Sequence, residues 1–290
     1  MSEGGLYIAA GREYIEEAEH SARSFKAEMG DTPVHLISDE ETESAYVDSQ
    51  TVVDDFAYDF GDIVTHIDQS PFEKTIYFDT DLYIDADISE VFALLEEFDV
   101  AASMDNHGWH VREYDLEHPI NGVPEAFPWY NGGVLAFKEN DRTRDFFETW
   151  QTYYRENKER GINHNMISLR SALYHSDVRI STLPWRYNCL IRKGNKISGP
   201  VKMFHGRLDD FDAKGAKSQY NTAEIRDELN KTTEPRLYIP GAYDSVEVVD
   251  GKPLYTKIIY YPSNIAVRAV VSIRENGLRD TAKKLYRHLS

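Results

Sequence analysis

The strongest constraint on the fold is an alternation along the first half of the chain: short apolar runs are separated by polar stretches whose apolar residues recur at helical spacing. That pattern belongs to βα units wound around a mostly parallel sheet. Leu6–Ala10 reads as a strand, and Glu13–Met29 as a helix that buries Ile15, Ala18, Ala22 and Phe25. Pro33–Ile37, Lys74–Phe78, Val100–Met104 and Gly133–Phe137 read as further strands, with shorter ones at Asp62–Ile67, Val178–Ile180 and Val201–Phe204. Asp87-Ile-Ser-Glu90 has the spacing of an N-cap box and predicts a helix through Val91, Leu94, Leu95 and Phe98. Asp141–Asn157 and Met166–Tyr174 complete the helices. Residues 105–130 read as a long loop, a length that in compact domains serves binding or goes with disorder.

A chain of 290 residues that is 41% hydrophobic can bury a real core in one large domain. No run reaches the length of a bilayer span, and the first residues lack the basic-then-apolar build of a signal peptide, so the expectation is a cytoplasmic protein. The single cysteine, Cys189, excludes an intrachain disulfide and any Cys-based zinc cluster. Metal chemistry must therefore use oxygens or histidines. Residues 1–100 hold 26 acidic against 4 basic side chains, and the remainder 24 against 28. So acidic an N-terminal part repels phosphate backbones, which argues against nucleic acid as a partner. Acidity spread through folded-looking segments predicts adaptation to high salt, as in a halophilic archaeon.

In open α/β sheets, ligands bind beyond the carboxyl ends of the strands. Ile76-Tyr77-Phe78 is followed there by Asp79-Thr80-Asp81. In extended chain the two carboxylates share a face and Thr80 takes the other, so two oxygens converge on one hard divalent cation. Such a cation would bridge a diphosphate and neutralise the charge that develops on it as a leaving group, which suits sugar transfer. Asp85-Ala86-Asp87 repeats the spacing, but Asp87 falls at an N-cap, so that pair reads as structural.

The segment from Lys74 to Glu90, KTIYFDTDLYIDADISE, resembles the metal-binding segment of GT-A type glycosyltransferases, most closely the family 8-like nucleotide-diphospho-sugar transferases. Further matches follow in order: Tyr130-Asn-Gly-Gly-Val-Leu-Ala-Phe137, then Leu169-Arg-Ser-Ala-Leu-Tyr174 with Val178-Arg-Ile180 and Leu183-Pro184, then Lys202-Met-Phe-His-Gly206. The resemblance spans about residues 6–207. It implies an α/β GT-A fold, a Rossmann-like mixed and mostly parallel sheet flanked by helices, over residues 1–262, with a helical extension at 263–290.

The same resemblance implies roles for matching positions. Asp79, Asp81 and His205 would hold Mn²⁺ or Mg²⁺, Asp79 touching metal or ribose, while Gly206 lets a phosphate approach. Ala9, Ala10 and Gly11 with Tyr14 match the base and ribose region, or form an ordinary turn into a helix. Lys74 lies near the donor or serves the surface. Asn131, Gly132 and Gly133 would line the sugar site, and Asp105 would contact a sugar hydroxyl. The family's Asp-Gln pair before the helix at Leu169 is here Asn165-Met166, unless His164 takes the place. Asn165 can hydrogen-bond a hydroxyl but is no carboxylate.

The function implied is metal-dependent transfer of a sugar from a nucleotide-diphosphate donor, UDP-sugar favoured, to an acceptor hydroxyl with retention. The leaving phosphate would accept the acceptor's proton; inversion would instead require a carboxylate base, for which Asp105 stands. The alternative is a non-catalytic nucleotide-sugar binding or interaction protein on the same fold, to which Asn165-Met166 points. A nucleotidyltransferase would carry a Gly-rich basic loop after the first strand, which Ala9-Ala10-Gly11-Arg12 does not supply. The C-terminal stretch from Ser263 is basic and amphipathic. It reads either as a helix packed on the domain or as a peripheral contact with anionic lipid at the inner membrane face, beside a glycan or lipid-linked acceptor.

Overall fold

The computed structural model describes residues 2–105, 120–207, 221–240 and 246–250. The chain runs β1 (Glu3–Ala9), α1 (Arg12–Met29), β2 (Val34–Ser38), β3 (Ser49–Val52), α2 (Gly61–His66), β4 (Lys74–Phe78), β5 (Leu82–Ile84), α3 (Glu90–Glu97), β6 (Val100–Met104), β7 (Tyr130–Lys138), α4 (Asp141–Glu159), α5 (Asn165–His175), β8 (Ile180–Leu183), β9 (Cys189–Leu190), β10 (Asn195–Ile197), β11 (Met203–His205), α6 (Ala223–Asn230), β12 (Arg236–Pro240) and β13 (Val246–Asp250). Seven strands form the main sheet in the order β3-β2-β1-β4-β7-β6-β8. All its pairings are parallel except those of β7, which runs antiparallel to both β4 and β6. The expected mixed, mostly parallel α/β architecture is therefore what the chain adopts.

The alternation of strand side chains divides the core between the two faces of this sheet. Tyr7, Ala9, Ile76 and Phe78 pack with Ile15, Ala22 and Phe25 of α1 and with Val91 and Leu95 of α3. Leu6, Ile8 and Tyr77 face the other way, onto Ile63 of α2, Phe146 and Trp150 of α4, and Leu169 of α5. Each large apolar side chain withdrawn from water contributes about 1.5–3 kcal/mol. Two small sheets lie beside the large one, β5-β11-β9 and β10-β12-β13.

Some local expectations are corrected. Asp62–Ile67 is not a strand: Gly61–His66 is helix α2, since Ile63, Val64 and Ile67 bury one helical face. Its entry is tied by Asp62, whose carboxylate accepts from the backbone N–H of Ala57 and of Asp59, at 2.7 and 3.1 Å. Asp87 is not the N-cap of α3; Ser89 occupies that place, and Asp87 Oδ1 accepts the Ser89 N–H at 2.7 Å. The strands expected at Val178–Ile180 and Val201–Phe204 lie further along, at Ile180–Leu183 and Met203–His205. The extension at 263–290, and residues 106–119 of the expected long loop, fall outside the described residues. Among the described residues no helix is long and apolar enough to cross a membrane.

Candidate functional site

The segment Asp79-Thr80-Asp81 carries the chain from β4 in the main sheet to β5 in a small one. Both sheets pin it. The Asp79 N–H donates to Gly133 O on β7 at 2.8 Å, and the Gly206 N–H donates to Asp81 O at 2.9 Å. Because β11 runs antiparallel to β5 with His205 opposite Leu82, the imidazole arrives at the same corner. Asp79, Asp81 and His205 thereby offer ligand atoms that all lie within 4.8 Å of one another. His205 Nε2 stands 3.1 Å from Asp81 Oδ1 and 3.7 Å from Asp79 Oδ2.

A chain of hydrogen bonds fixes which imidazole nitrogen faces the aspartates. The Gly133 N–H donates to Asn131 Oδ1 at 2.9 Å, so that end of the Asn131 amide is an oxygen. Asn188 must then present its Nδ2 to the same oxygen, at 2.8 Å. Its Oδ1 is left facing His205 Nδ1 at 2.7 Å, which makes Nδ1 the donor. Nε2 is the nitrogen turned to the carboxylates, and an outer partner of this kind orients a ligating histidine. Asn188 was not legible as a site residue in the sequence. It reaches His205 only because β9 pairs with β11, Cys189 opposite Phe204.

Two carboxylates and one imidazole suit a divalent cation. Gly133 keeps side-chain atoms out of the space between these groups. A Cβ at Gly133 would stand 2.4 Å from His205 Cε1 and 2.7 Å from Asp79 Oδ2, so a side chain there would enter the triad. Burial raises the Asp79 pKa, and Asp81 adds to that against the pull of His205. Burial also opposes ionisation of Asp81, yet His205, Arg207 and Arg192 outweigh it and hold its pKa well below the usual carboxylate range. Tyr77 donates its hydroxyl proton to Asp79 Oδ1 at 2.8 Å, which steadies that carboxylate from behind.

No protein-family model and no curated protein matches this sequence. Solved structures do match. The galactosyltransferase LgtC, crystallised with donor and acceptor sugar analogues, is 13% identical with a TM-score of 0.52, over 79% of this chain and 95% of that one. The glycosyltransferase GlyE of Streptococcus pneumoniae, in its apo form, is 16% identical with a TM-score of 0.54, over 80% of this chain and 61% of that one. The chain has the GT-A glycosyltransferase fold.

Within that GT-A fold, the other expected positions divide. β1 lies beside β4, Tyr7 opposite Phe78, so Ala9 and Ala10 come next to the Asp79 end of β4. The Gly11 N–H there donates to Asp39 Oδ1 at 2.8 Å, and the exposed Tyr14 ring lies under the Arg207 guanidinium, 5.2 Å from ring centre to Cζ. Gly132 faces α5: a Cβ on it would meet Leu169 at 3.8 Å and Asn165 Oδ1 at 4.0 Å. Asn165 Nδ2 itself donates to Phe60 O at 3.0 Å. The oxygen of Asn131 is taken up by Gly133 and Asn188. Asp105 is buried, and its Oδ2 accepts from Lys193 Nζ at 3.0 Å. Lys74 is not brought to the triad; it begins β4 at the far end from Asp79, where it pairs with Glu3 at 3.0 Å and with Glu96.

Two further residues, Glu17 and Arg207, stand at the site without a motif to mark them. Glu17 of α1 is buried, its Oε2 accepting from Thr80 Oγ1 at 2.6 Å and from Arg207. Burial first, then Asp81, pushes its pKa up to about 7. A signal existed: Glu17 interrupts the stripe of Ile15, Ala18, Ala22 and Phe25 that α1 turns to the core.

Proposed function

We infer that the protein transfers a sugar from a nucleotide-diphosphate donor to an acceptor hydroxyl, using a divalent cation held by Asp79, Asp81 and His205. The observation that carries this reading is the convergence of those three side chains at the carboxyl end of β4, on a fold shared with LgtC and GlyE. The cation, Mn²⁺ or Mg²⁺, would neutralise the diphosphate as it leaves. The protein's own groups bind and orient. Tyr14 and the turn at Ala9-Ala10-Gly11 receive the nucleoside, with UDP as the favoured carrier. Gly132 and Asn165 border the sugar, and Asn131 with Asn188 holds His205 in its working tautomer.

Retention is the favoured stereochemistry. Inversion requires a carboxylate base, and the Asp105 side chain is buried against Lys193. The leaving phosphate then accepts the acceptor's proton. Asn165, an amide where the resembling family carries a carboxylate, lowers turnover without preventing donor binding.

The test is donor hydrolysis and transfer with manganese and a set of nucleotide sugars, in molar KCl, for wild type and Asp81→Asn. Turnover in the wild type, lost in Asp81→Asn and on chelation of the metal, supports the proposal. Donor binding with no turnover under any donor favours a binding protein on the same fold. Equal turnover in Asp81→Asn contradicts the assignment.

A further inference from the structure

We propose that Arg207 is a second cationic anchor for the donor's diphosphate, held in position by the buried carboxylate of Glu17. The inference rests on the donor reading above and assigns to it two residues that the sequence motifs do not mark. Arg207 follows His205 by two residues, and its guanidinium spans the gap between two parts of the site. On one side it lies over the ring of Tyr14, 5.2 Å from the ring centre, in the region that would receive the nucleoside. On the other it pairs with Glu17, whose same oxygen takes the hydroxyl of Thr80, the middle residue of Asp79-Thr80-Asp81. A diphosphate that joins a base near Tyr14 to a cation at Asp81 must pass this guanidinium.

The burial of the pair separates the two roles. The Glu17 side chain is 0% exposed, whereas that of Arg207 is 24% exposed. An arginine fork carries five N–H donors, and it matches phosphate oxygens in pairs. Glu17 takes one end of the fork and leaves donors for a ligand on the open side. A buried ion pair is a poor packing device, since apolar residues of like size serve as well or better. Glu17 also stands close enough to Asp81 for the two like charges to interact, and its Oε1 has no hydrogen-bond partner among the described residues. Packing alone would not place a carboxylate there. Fixing a guanidinium against the metal corner does account for it.

Calorimetry on the full chain in molar KCl tests this, with Mn²⁺ alone and then with UDP, UMP and inorganic pyrophosphate at saturating Mn²⁺. The variants are Arg207→Gln, Arg207→Lys and Glu17→Gln. Loss of a charge-assisted contact predicts UDP and pyrophosphate weakened about tenfold or more in Arg207→Gln, with UMP weakened less. Arg207→Lys recovers part of the affinity, because it restores the charge but not the fork. Glu17→Gln gives a smaller loss than Arg207→Gln. Binding of Mn²⁺ alone stays within about threefold in all three, because neither Glu17 nor Arg207 supplies a ligand atom or, among the described residues, hydrogen-bonds to the side chain of one that does. UDP bound equally by wild type and Arg207→Gln overturns the inference while leaving the donor reading intact. A parallel loss of Mn²⁺ alone in Arg207→Gln also overturns it, since Arg207 would then only hold the corner together. A wild type that binds Mn²⁺ but no nucleoside diphosphate defeats the donor reading itself, and this inference with it.

Discussion

Side chains are kept out of the Asp79-Asp81-His205 corner at one backbone position, and neighbouring glycines there differ sharply. Gly133→Ala would drive a methyl into His205 and Asp79, whereas Gly132→Ala meets Leu169 and Asn165 only at ordinary contact distance. Gly133→Ala is expected to abolish Mn²⁺ binding in a calorimetric titration, and Gly132→Ala to leave it intact; the reverse order would contradict the placement of the triad. Asn188 acts one bond further out. Asn188→Ala removes the acceptor for His205 Nδ1 and should weaken Mn²⁺ about 10- to 100-fold, as loss of an outer-shell partner does, with the far-ultraviolet circular dichroism unchanged. An unaltered Mn²⁺ affinity would show that the tautomer is not set there. The contrast between these residues and the aspartates explains what could be read beforehand. Asp79 and Asp81 announce themselves by position at the end of an apolar strand. Asn188 carries no such mark, because its contact depends on a pairing between β9 and β11 that no local pattern encodes.

Among the elements, those with a clear period were legible and those whose period is mixed were not. α1, β4, β6, α4 and α5 fall close to their expected spans, since each presents an apolar stripe or alternation deep in the core. α2 was misread because a six-residue helix with Ile63, Val64 and Ile67 looks apolar without showing a full turn of polar residues. β3, with the sequence Ser-Gln-Thr-Val at the sheet edge, lacks the hydrophobic run that marks a buried strand. Strand direction also decides function at this scale. Lys74 and Asp79 belong to one strand and its end, and the strand separates them by its whole length. Lys74→Met is therefore expected to leave UDP and Mn²⁺ affinity unchanged, since its partners Glu3 and Glu96 lie at the opposite end of β4 from the triad. Weakened UDP binding in that variant would mean that the donor reaches the far end of β4.

For the molecule as a whole, the formal charge of -18 predicts a stability that depends on salt. The acidic residues are concentrated in residues 1–100, where the sheet's central strands and the aspartates of the triad also lie. Self-repulsion among them is long-ranged in dilute buffer and short-ranged in molar salt, where the Debye length falls to about 3 Å. We expect the midpoint of thermal unfolding to rise steadily between about 0.1 M and molar KCl as this repulsion is screened. A midpoint independent of KCl, in a protein fully folded in dilute buffer, would remove the case for a halophilic origin. Of the whole-molecule reading, the fold class was legible because βα alternation is a global pattern. The two small sheets were not, since their strands are two to five residues long and acquire partners only in three dimensions.

The central claim is that one divalent cation binds between Asp79, Asp81 and His205. Titration of Mn²⁺ into the chain, followed by the loss of its free electron-paramagnetic-resonance signal, measures this directly. The account predicts one saturable ion per chain in the wild type and none in Asp81→Asn or His205→Ala, each checked for retained secondary structure; equal uptake by wild type and both variants would contradict it.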